Sequence, residues 1–591
     1  MFLLGGCSDL LDIDPKNKIP ADELFSAPEG VQAHMANLYG RLPIEDFTYS
    51  PNRGFNVGVG TDVNNAGFMA AHFCDEAIHP EYNDFGEEWF DYWEDGYKLI
   101  RDLNSLLVTI PTLTSITEQQ KNEINAETHF LRAYTYFALA KRYGGVPIIK
   151  EPQEYNGNIE ELRVPRNTEK DTWDFVLEEC DQAVSLFGDA NENDVLRANK
   201  WVALALKSRV CLFEGTFRKY HGIADYEKYL DACITASDDF MKNSGYSLYK
   251  TGSTPYQTLF SSLNAIQQEI VLARDYNGTL NIRHDVQGFE NTASKGRPGL
   301  SKKIVNMYLN KNGSRFTDMQ GYATKVFFDE CQNRDPRLAQ TIRTPGYIRP
   351  GETKQSGPNF SSAMTGYHLI KYSGATKYDV GDTSENDFPI FRTAEVFLNY
   401  VEAKAERGTL EQNDIDRTIK LIRDRVGMPN LNMSDANTDP DPYLLNVYPN
   451  VSETNKGVIL EIRRERVIEL LMEGFRYYDL MRWKAGSCMD DEFLGMYFPG
   501  PGNYDLNHDG TIDVCLYKGA KPGGVNALEY LEIGVTVELT EGESGNVICY
   551  KDVPRQWNEE RDYLYPIPRQ DRILTNGALT QNPGWNDNLN F

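Results

Sequence analysis

The sequence predicts a mainly α-helical protein in which pairs of helices form a scaffold that carries long loops and a few short strands. Across most of residues 20–245, apolar side chains recur every three or four positions, which is the period of an amphipathic helix. Residues 246–388 and 485–591 are instead rich in Gly, Asn, Asp, Ser, Pro and Tyr and hold only short apolar runs, as ordered loops and small strands do. The loops are therefore the expected place for binding residues.

Two segments of the first half carry the helical pattern most clearly. In residues 126–143, alanine and phenylalanine alternate at spacings of three and four, and residues 198–213 repeat this alternation of small and large side chains around Trp201. Small residues that face large ones allow neighbouring helices to approach closely. Such pairs resemble tetratricopeptide-type units, although no strict repeat period is present. Further helices are predicted at 93–108, 388–408, 413–426 and 456–484.

Length and charge narrow the class of protein. A chain of 591 residues exceeds the size at which one hydrophobic core stops growing, and we divide it into an N-terminal tether (1–19), a helical region (20–245) and a loop-rich region (246–591). The formal net charge of −27, with no run of Lys or Arg, would repel a phosphate backbone. We therefore expect no nucleic-acid partner, whereas a neutral sugar would be indifferent to this charge.

The sequence lacks the motifs of the common catalytic and redox sites. HExxH, GxSxG, GxxxxGK[ST] and GxGxxG are absent, and the nine cysteines include no CxxC pair, so the corresponding metal, nucleophile and nucleotide sites are not expected. A glycosidase needs only two carboxylates that meet in space, and the abundance of Asp and Glu makes no pair stand out. We predict a protein that is not an enzyme and requires no cofactor.

The first residues resemble a lipoprotein signal. Cys7 follows LLGG, a context like the lipobox that is cleaved before a lipid-modified cysteine, and an acidic, tether-like stretch comes after it. Only MFLLGG precedes Cys7, which is shorter than a secretory signal; a clipped or misplaced start explains this, and a buried thiol is the alternative. A lipidated Cys7 would attach the chain to a membrane, since no window of about 20 uninterrupted apolar residues offers a transmembrane span.

The segment from Arg463 to Trp483, RRERVIELLMEGFRYYDLMRW, combines apolar residues at helical spacing with opposite charges placed three residues apart. Side chains at this spacing meet on a helix, so the pattern predicts a half-buried ladder of ion pairs in a core helix. The predicted pairs are Arg466 with Glu469, Glu473 with Arg476, and Asp479 with Arg482. Gly474 costs about 1 kcal/mol relative to alanine within a helix, and another backbone is expected to pass close to it.

This segment resembles the late signature of the SusD/RagB family, glycan-binding lipoproteins on the outer surface of Bacteroidetes. Seven further blocks resemble family segments and occur in the family's order. The blocks are CSDLLDIDPKNKIPADELFSAPEGVQAHMANLYGRL (7–42), AETHFLRAYTYFALAKRYGGVPII (126–149), RANKWVALALKSRVCLF (197–213), RDPRL (334–338), FPIFRTAEVFLNYVEAKAE (388–406), IRDRVGMP (422–429) and YPIPRQDRILTNGALTQNPGW (565–585).

The resemblance implies a SusD-like fold with a tetratricopeptide-type scaffold, and it implies a function. The protein would be lipid-anchored on the extracellular face of the outer membrane, would capture an oligosaccharide or polysaccharide, and would pass it to a SusC-like TonB-dependent transporter that it covers as a lid. Three alternatives stay open: a surface glycoside hydrolase, a SusD-like binder of a peptide or another non-glycan nutrient, and a helical-repeat adaptor for another protein.

The resemblance also implies a ligand site in loops near Trp89 and in the loops at 275–295 and 358–378. Trp89 belongs to a polar, aromatic-rich stretch, and its ring face could lie under a pyranose, whose C–H groups complement the π system. Simple packing between loops is the alternative role for aromatic residues there. The predicted glycan contacts are Trp89, Tyr82, Asn83, Tyr276 and Phe289.

One loop has the spacing of a calcium site. DLNHDGTID, residues 505–513, places oxygen-bearing side chains at alternate positions around a glycine, which matches the first nine positions of an EF-hand-type loop. Leu516 stands where the loop would end in a bidentate Glu, so the site would be structural and of moderate affinity. A solvated Asn/Asp/Gly turn is the alternative. The predicted ligands are Asp505, Asn507, Asp509, Thr511 through its carbonyl, and Asp513.

Overall fold

The computed structural model describes residues 21–43, 74–78, 92–188, 194–293, 297–381, 383–552 and 556–589. Over these residues helices dominate and strands are short, which confirms the predicted mainly α fold class. The helices are α1 (Ala21–Leu24), α2 (Pro28–Gly40), α3 (Trp93–Thr109), α4 (Glu118–Tyr143), α5 (Glu169–Phe187), α6 (Lys200–His221), α7 (Tyr226–Asn243), α8 (Pro255–Ser261), α9 (Val286–Asn291), α10 (Lys302–Met307), α11 (Phe327–Glu330), α12 (Thr393–Glu406), α13 (Gln412–Asp416), α14 (Ile419–Asp424), α15 (Met433–Thr438), α16 (Pro442–Val447), α17 (Lys456–Glu469), α18 (Arg476–Arg482) and α19 (Arg569–Leu574).

Short strands and single-turn 3₁₀ helices connect these helices. The strands are β1 (Ala77–Ile78), β2 (Ile270–Arg274), β3 (Gly299–Leu300), β4 (Phe388–Arg392), β5 (Phe493–Phe498), β6 (Gly502–Tyr504), β7 (Ile512–Tyr517), β8 (Ala527–Glu532), β9 (Glu538–Leu539) and β10 (Gly545–Cys549). The 3₁₀ helices are Ile110–Thr112, Ile159–Leu162, Phe316–Asp318, Tyr322–Thr324, Leu338–Gln340, Thr376–Tyr378 and Gly486–Met489. Within the described part of the chain, no helix has the length and apolar character that crossing a membrane requires.

Helices α3 to α7 form the scaffold, and each packs against the next along the chain. Helix α4 begins at a capping box in which Thr117 and Gln120 exchange hydrogen bonds, and it ends at Gly144, whose φ is +70°. In α6, a Cβ atom at Gly215 would lie 2.7 Å from the side chain of Leu230 in α7. The absence of a side chain at this position therefore allows the two helices to pack closely.

The second half of the chain builds on the same core. Helix α12 packs against α6, α7 and α17, and α18 packs against α6, so helices from both sides of residue 245 share one set of buried apolar side chains. The strands form small sheets: β1 with β3, β2 with β4, β5-β10-β9 and β6-β7-β8. In the last sheet β7 pairs antiparallel with β6 and parallel with β8.

The segment 463–483 is not the continuous helix that the sequence predicts. Helix α17 ends at Glu469 and α18 begins at Arg476. Between them, Met472 (φ +57°) and Gly474 (φ +82°) adopt left-handed backbone conformations and turn the chain. A positive φ, which glycine adopts without steric cost, accounts for Gly474 better than the predicted close approach of another backbone.

Breaking the helix changes the ion pairs that its charges make. Of the three predicted pairs, Asp479 with Arg482 is present, at 2.8 Å. The other two predicted pairs are wrong. Arg466 and Glu469 both lie in α17 but pair with residues of other segments, and Glu473 lies in the turn and pairs away from Arg476. The observed partners include Asp479 for Arg466, Lys371 and Arg392 for Glu473, and Asp75 for Arg476. The predicted half-buried ladder is instead a network in which every member but the half-buried Glu473 is buried.

Glu469 lies at the centre of this network and is fully buried. Three guanidinium groups from separate segments donate hydrogen bonds to its carboxylate: those of Arg337, Arg392 and Arg425. Burial alone would raise the pKa of Glu469, but the three positive charges lower it well below its usual range. Glu469 is therefore ionised, and it ties α17 to β4 and to the segments around residues 337 and 425.

Replacing Glu469 by alanine is expected to lower the free energy of unfolding by about 3 to 5 kcal/mol, because three buried arginines lose a shared counter-ion. Urea denaturation followed by circular dichroism measures this change. As a control, Glu543→Ala removes the exposed pair with Lys518 (2.7 Å) and should cost less than about 1 kcal/mol. Equal effects of the two substitutions would contradict the central role of Glu469.

Candidate functional site

Described residues next to or within the loop segments that the family resemblance assigns to the ligand meet at strand β3. Strands β1 and β3 pair antiparallel, so that Ile78 lies opposite Gly299, and Gly299 also forms a bridge with His368. Ile78 is the last described residue before the segment that contains Trp89. We call residues 284–293, 297–300 and 341–379 the loop junction.

Asn291, at the end of α9, connects the parts of the loop junction. Its side-chain amide donates to the Gln287 carbonyl (3.0 Å) and to Ser373 Oγ (2.8 Å). Its Oδ1 accepts a hydrogen bond from Arg343 Nη2 (2.9 Å), and its backbone carbonyl accepts one from Ser362 Oγ (3.0 Å). One half-buried asparagine thus fixes the relative positions of three chain segments.

A buried carboxyl group lies next to Asn291. Glu290 is 1% exposed and accepts hydrogen bonds from Tyr372 N (3.1 Å) and Ser373 Oγ (2.6 Å). Burial raises the pKa of Glu290 to about 7, although these two hydrogen bonds act in the opposite direction. The charge within the loop junction therefore changes near neutral pH.

Neutral polar groups form the accessible rim of the loop junction. Asn359 and Thr292 are half-buried and Ser361 is exposed. Asn359 Oδ1 accepts a hydrogen bond from Ser362 N (3.2 Å), which orients the amide. Amide and hydroxyl groups both donate and accept hydrogen bonds, so this rim has the chemistry that sugar hydroxyls require.

Two arginines contact the turn that carries the rim. Arg343 Nη1 donates to the Gly357 carbonyl (3.4 Å), and Arg297 Nη2 donates to the Phe360 carbonyl (2.8 Å). Burial lowers the pKa of Arg343 to about 10, so the side chain is still protonated at neutral pH. The loop junction therefore presents positive charge beside its neutral rim.

The sheet β6-β7-β8 contacts this turn. Glu529 of β8 accepts hydrogen bonds from Phe360 N (2.6 Å) and Ser361 N (2.8 Å). A Cβ atom at Gly357 would lie 2.5 Å from Asp513 Oδ1 in β7, so the backbone of the turn rests directly on that carboxylate. The loop 505–513 is thus connected to the loop junction through its last residue.

The predicted contacts Tyr276 and Phe289 do not form open platforms. Their side chains are 4% and 1% exposed, and the Tyr276 ring packs against His284 at 4.4 Å between centroids. Packing of the loops covers both rings in this conformation, and the role of these two residues as glycan contacts stays a prediction. The predicted residues that lie outside the described part of the chain are Cys7, Tyr82, Asn83 and Trp89.

The polar residues that organise these loops were not predicted from the sequence. Asn291 and Asn359 lie within the two loop ranges that the resemblance indicated. Arg297 lies two residues after the first range, and Arg343 lies 15 residues before the second. None belongs to a motif with a fixed spacing, so no local signal marked them.

The predicted calcium ligands in residues 505–513 mainly serve the turn itself. The two carboxylate oxygens of Asp505 accept backbone N–H groups of the loop (3.1 and 2.8 Å), and Asp509 Oδ1 accepts another (2.8 Å). Asp513 Oδ2 accepts a hydrogen bond from Leu506 N (2.7 Å). Among the described residues, no group of three or more His, Cys, Asp or Glu side chains is placed to hold a metal ion. As they are placed, these residues do not fit a bound ion, and calcium stays a prediction.

The structure combines a helical scaffold with polar side chains on converging loops, an arrangement suited to a ligand-binding protein. The chain belongs to the SusD family, whose model matches residues 268–585. A second model, described as starch-binding associating with outer membrane, matches residues 9–212. Together the two matches span most of the chain and confirm the family that the sequence motifs indicated.

Individual relatives agree with this assignment. A SusD-like protein of Bacteroides ovatus is 25% identical over 493 residues, which cover 82% of this chain and 80% of that protein. SusD-like protein P38 of Formosa agariphila is 22% identical over 508 residues, which cover 81% and 88%. The fold is similar to a SusD-like protein from Bacteroides fragilis (TM-score 0.66, 22% identity, 96% of this chain and 100% of that one). It is also similar to a laminarin-binding SusD-like protein (TM-score 0.54, 17% identity, 95% and 100%).

The titration of Glu290 gives a testable pH dependence. The folded protein holds this proton more tightly than the unfolded chain, since the pKa is raised from 4.5 to about 7. Stability from this group is therefore present at low pH and is lost as pH rises through about 7. Glu290→Gln should remove that loss, by at most about 3 kcal/mol between about pH 5 and about pH 8. Urea denaturation across this range measures it, and identical pH profiles for wild type and variant would contradict it.

Proposed function

We propose that this protein is a lipid-anchored, cell-surface glycan-binding protein that captures an oligosaccharide or polysaccharide at the loop junction and passes it to a SusC-like TonB-dependent transporter. The observation that carries the proposal is the convergence at β1 and β3 of the loop segments that the family resemblance assigns to the ligand. Membership of the SusD family supports it, as does the outer-membrane description of the second matching model. The protein breaks no bond of its ligand in this proposal.

Recognition combines hydroxyl contacts with an aromatic face. Asn359 exchanges hydrogen bonds with sugar hydroxyls, and Ser361 Oγ, which donates to Glu529 Oε1 (2.5 Å), accepts one. The ring of Trp89 lies beneath a pyranose in this proposal. A few contacts of this kind amount to about 4 kcal/mol, which corresponds to a Kd near 1 mM. Attachment to the membrane through Cys7 and the many binding sites on a polymer raise the effective affinity. Weak contacts to each sugar also permit release to the transporter.

Substitutions at the proposed contacts test the site. Asn359→Ala and Trp89→Ala should each weaken glycan binding by at least about fivefold, because each removes about 1 kcal/mol of contact energy. Affinity electrophoresis in gels cast with a panel of polysaccharides identifies the ligand, and calorimetry with its oligosaccharides gives the Kd. Asn156→Ala is the matched control, since Asn156 is an exposed loop asparagine outside the loop junction and should leave the affinity unchanged.

Three outcomes would contradict the proposal in different ways. New reducing ends after incubation with the bound glycan would identify a hydrolase. Absence of retardation in every polysaccharide gel would point to a peptide or another non-glycan nutrient. Retention of full affinity by both Asn359→Ala and Trp89→Ala would place the glycan elsewhere on the protein.

The calcium site is proposed separately and has its own test. Burial, together with the nearby charges of Asp509 and Asp505, raises the pKa of Asp513 to about 6, so a bound cation would relieve a repulsion that is strongest above this pH. Calcium should raise the Tm of the chelator-treated wild type at about pH 7.5, and less at about pH 5. Asp509→Ala should abolish the rise. No shift in the wild-type Tm and no heat in calorimetry with calcium would show that the loop is a solvated turn.

A further inference from the structure

Arginines in the core of this protein share carboxylate partners. Arg425 contacts Glu269 and Glu469, and Arg482 contacts Glu402 and Asp479. Such pairing offsets the cost of removing a guanidinium charge from water. A chain with a net charge of −27 has many carboxylates available for this purpose. A half-buried arginine without a carboxylate partner lacks this compensation.

Arg343 is such a residue, and it lies in the loop junction. It is half-buried, and among the described residues no carboxylate oxygen lies within 4.0 Å of its guanidinium nitrogens. Its hydrogen-bond partners are neutral oxygens of Asn291 and Gly357, and Nε has no partner in the described part of the chain. Its guanidinium carbon lies 5.8 Å from the ring centre of Tyr347.

The nearest acidic groups are engaged elsewhere. Asp379 Oδ1 accepts a hydrogen bond from Arg349 Nη2 at 2.5 Å, and Glu290 is held by Tyr372 N and Ser373 Oγ. Glu290 and Asp379 also have raised pKa values, chiefly because they are buried. Neither acid forms an ion pair with Arg343 within the described residues.

Arg297 repeats this arrangement on the other side of the same turn. It is half-buried, it donates to the Phe360 carbonyl (2.8 Å), and its Nε also has no partner among the described residues. Its backbone has a φ of +54°, a conformation that few residues other than glycine adopt. The two guanidinium groups thus contact carbonyls at residues 357 and 360, beside the neutral rim of Asn359 and Ser361.

We propose that the loop junction selects glycans that carry an anionic group, either the carboxylate of a uronic acid or a sulfate ester, which binds beside Arg343 and Arg297. This inference rests on the proposed function, because it names the class of glycan that the same site takes. Within the described residues, both guanidinium groups are partly buried and their hydrogen-bond acceptors are neutral oxygens. An anion converts these contacts into charge-assisted hydrogen bonds, which are about twice as strong as neutral ones.

The overall charge of the protein makes this selection specific. A net charge of −27 repels an acidic polysaccharide from most of the surface, so nonspecific attraction cannot account for its retention. Binding must then come from a local positive site, whereas a neutral glycan would gain nothing from Arg343. Positive charge on a few side chains also makes the binding weaken with added salt.

Affinity electrophoresis with matched polysaccharides tests the inference. The gels contain polygalacturonate, the same polymer after reduction of its carboxyl groups, a sulfated galactan, and the neutral glucans starch and laminarin. Retardation is expected with a carboxylated or sulfated polymer, and the two arms distinguish these two anions. The reduced polymer and the neutral glucans should retard the protein much less. Calorimetry with the corresponding oligosaccharides should give an affinity at least about tenfold higher for the anionic form.

Variants assign the effect to the two arginines. Arg343→Gln and Arg297→Gln should each remove the preference for the anionic ligand while leaving weak binding of its neutral form. Arg343→Lys keeps the charge but loses the planar fork, and should restore part of the preference. Arg166→Gln is the matched control: Arg166 is also half-buried and bonded to backbone carbonyls, but it lies away from the loop junction. Its variant should bind like wild type, and the Tm of each variant reports its folding.

The outcomes separate this inference from the proposed function. Equal affinity for the anionic and neutral forms, or an anionic preference that persists in both Arg343→Gln and Arg297→Gln, overturns the inference and leaves glycan binding in place. Retardation by the neutral glucans but not by the anionic polymers also overturns the inference and leaves glycan binding in place. Absence of binding to every polysaccharide overturns the proposed function, and the inference fails with it.

Discussion

The buried charge of Glu469 is the constraint on which the rest of this structure depends. A carboxylate taken out of water needs counter-charges and hydrogen bonds, and here three arginines from separate segments supply them. Each of these arginines is itself buried and has further acidic partners, such as Glu269 for Arg392 and Arg425. Because the ions must all be satisfied together, they fix the register of segments that are far apart in sequence.

Charged residues of the same segment also pair with residues in or beside the loops that we assign to the ligand. Glu473, in the turn after α17, binds Lys371 of the loop junction at 2.7 Å. Arg476, at the start of α18, binds Asp75 at 2.7 Å, two residues before β1. The family signature therefore contributes to the function without contacting a ligand in our proposal. It holds residues beside the loops in place.

In our proposal, the loop junction is a specific site that needs no catalytic motif. Its neutral rim suits any sugar, and the support from Glu529 and Asp513 positions the turn without selecting a ligand. Selectivity in our proposal comes from Arg343 and Arg297, whose charges are balanced by no carboxylate within the described residues. In a strongly acidic protein, placing two such charges at the ligand loops is the feature that distinguishes one class of glycan from another.

The sequence by itself determined the family and the mainly helical fold, because helical periodicity and a set of ordered motifs are local properties of the chain. The partners of the signature charges and the burial of Tyr276 and Phe289 were decided by the tertiary structure. Local spacing placed Arg466 beside Glu469, but Arg466 pairs with Asp479, which follows the turn at Met472 and Gly474. Glu469 pairs instead with arginines of distant segments. Similarly, an aromatic residue in a polar loop suggests an exposed ring, and only the folded structure shows whether other side chains cover that ring. Long-range contacts of this kind depend on how segments meet in space, which residue spacing along the chain does not specify.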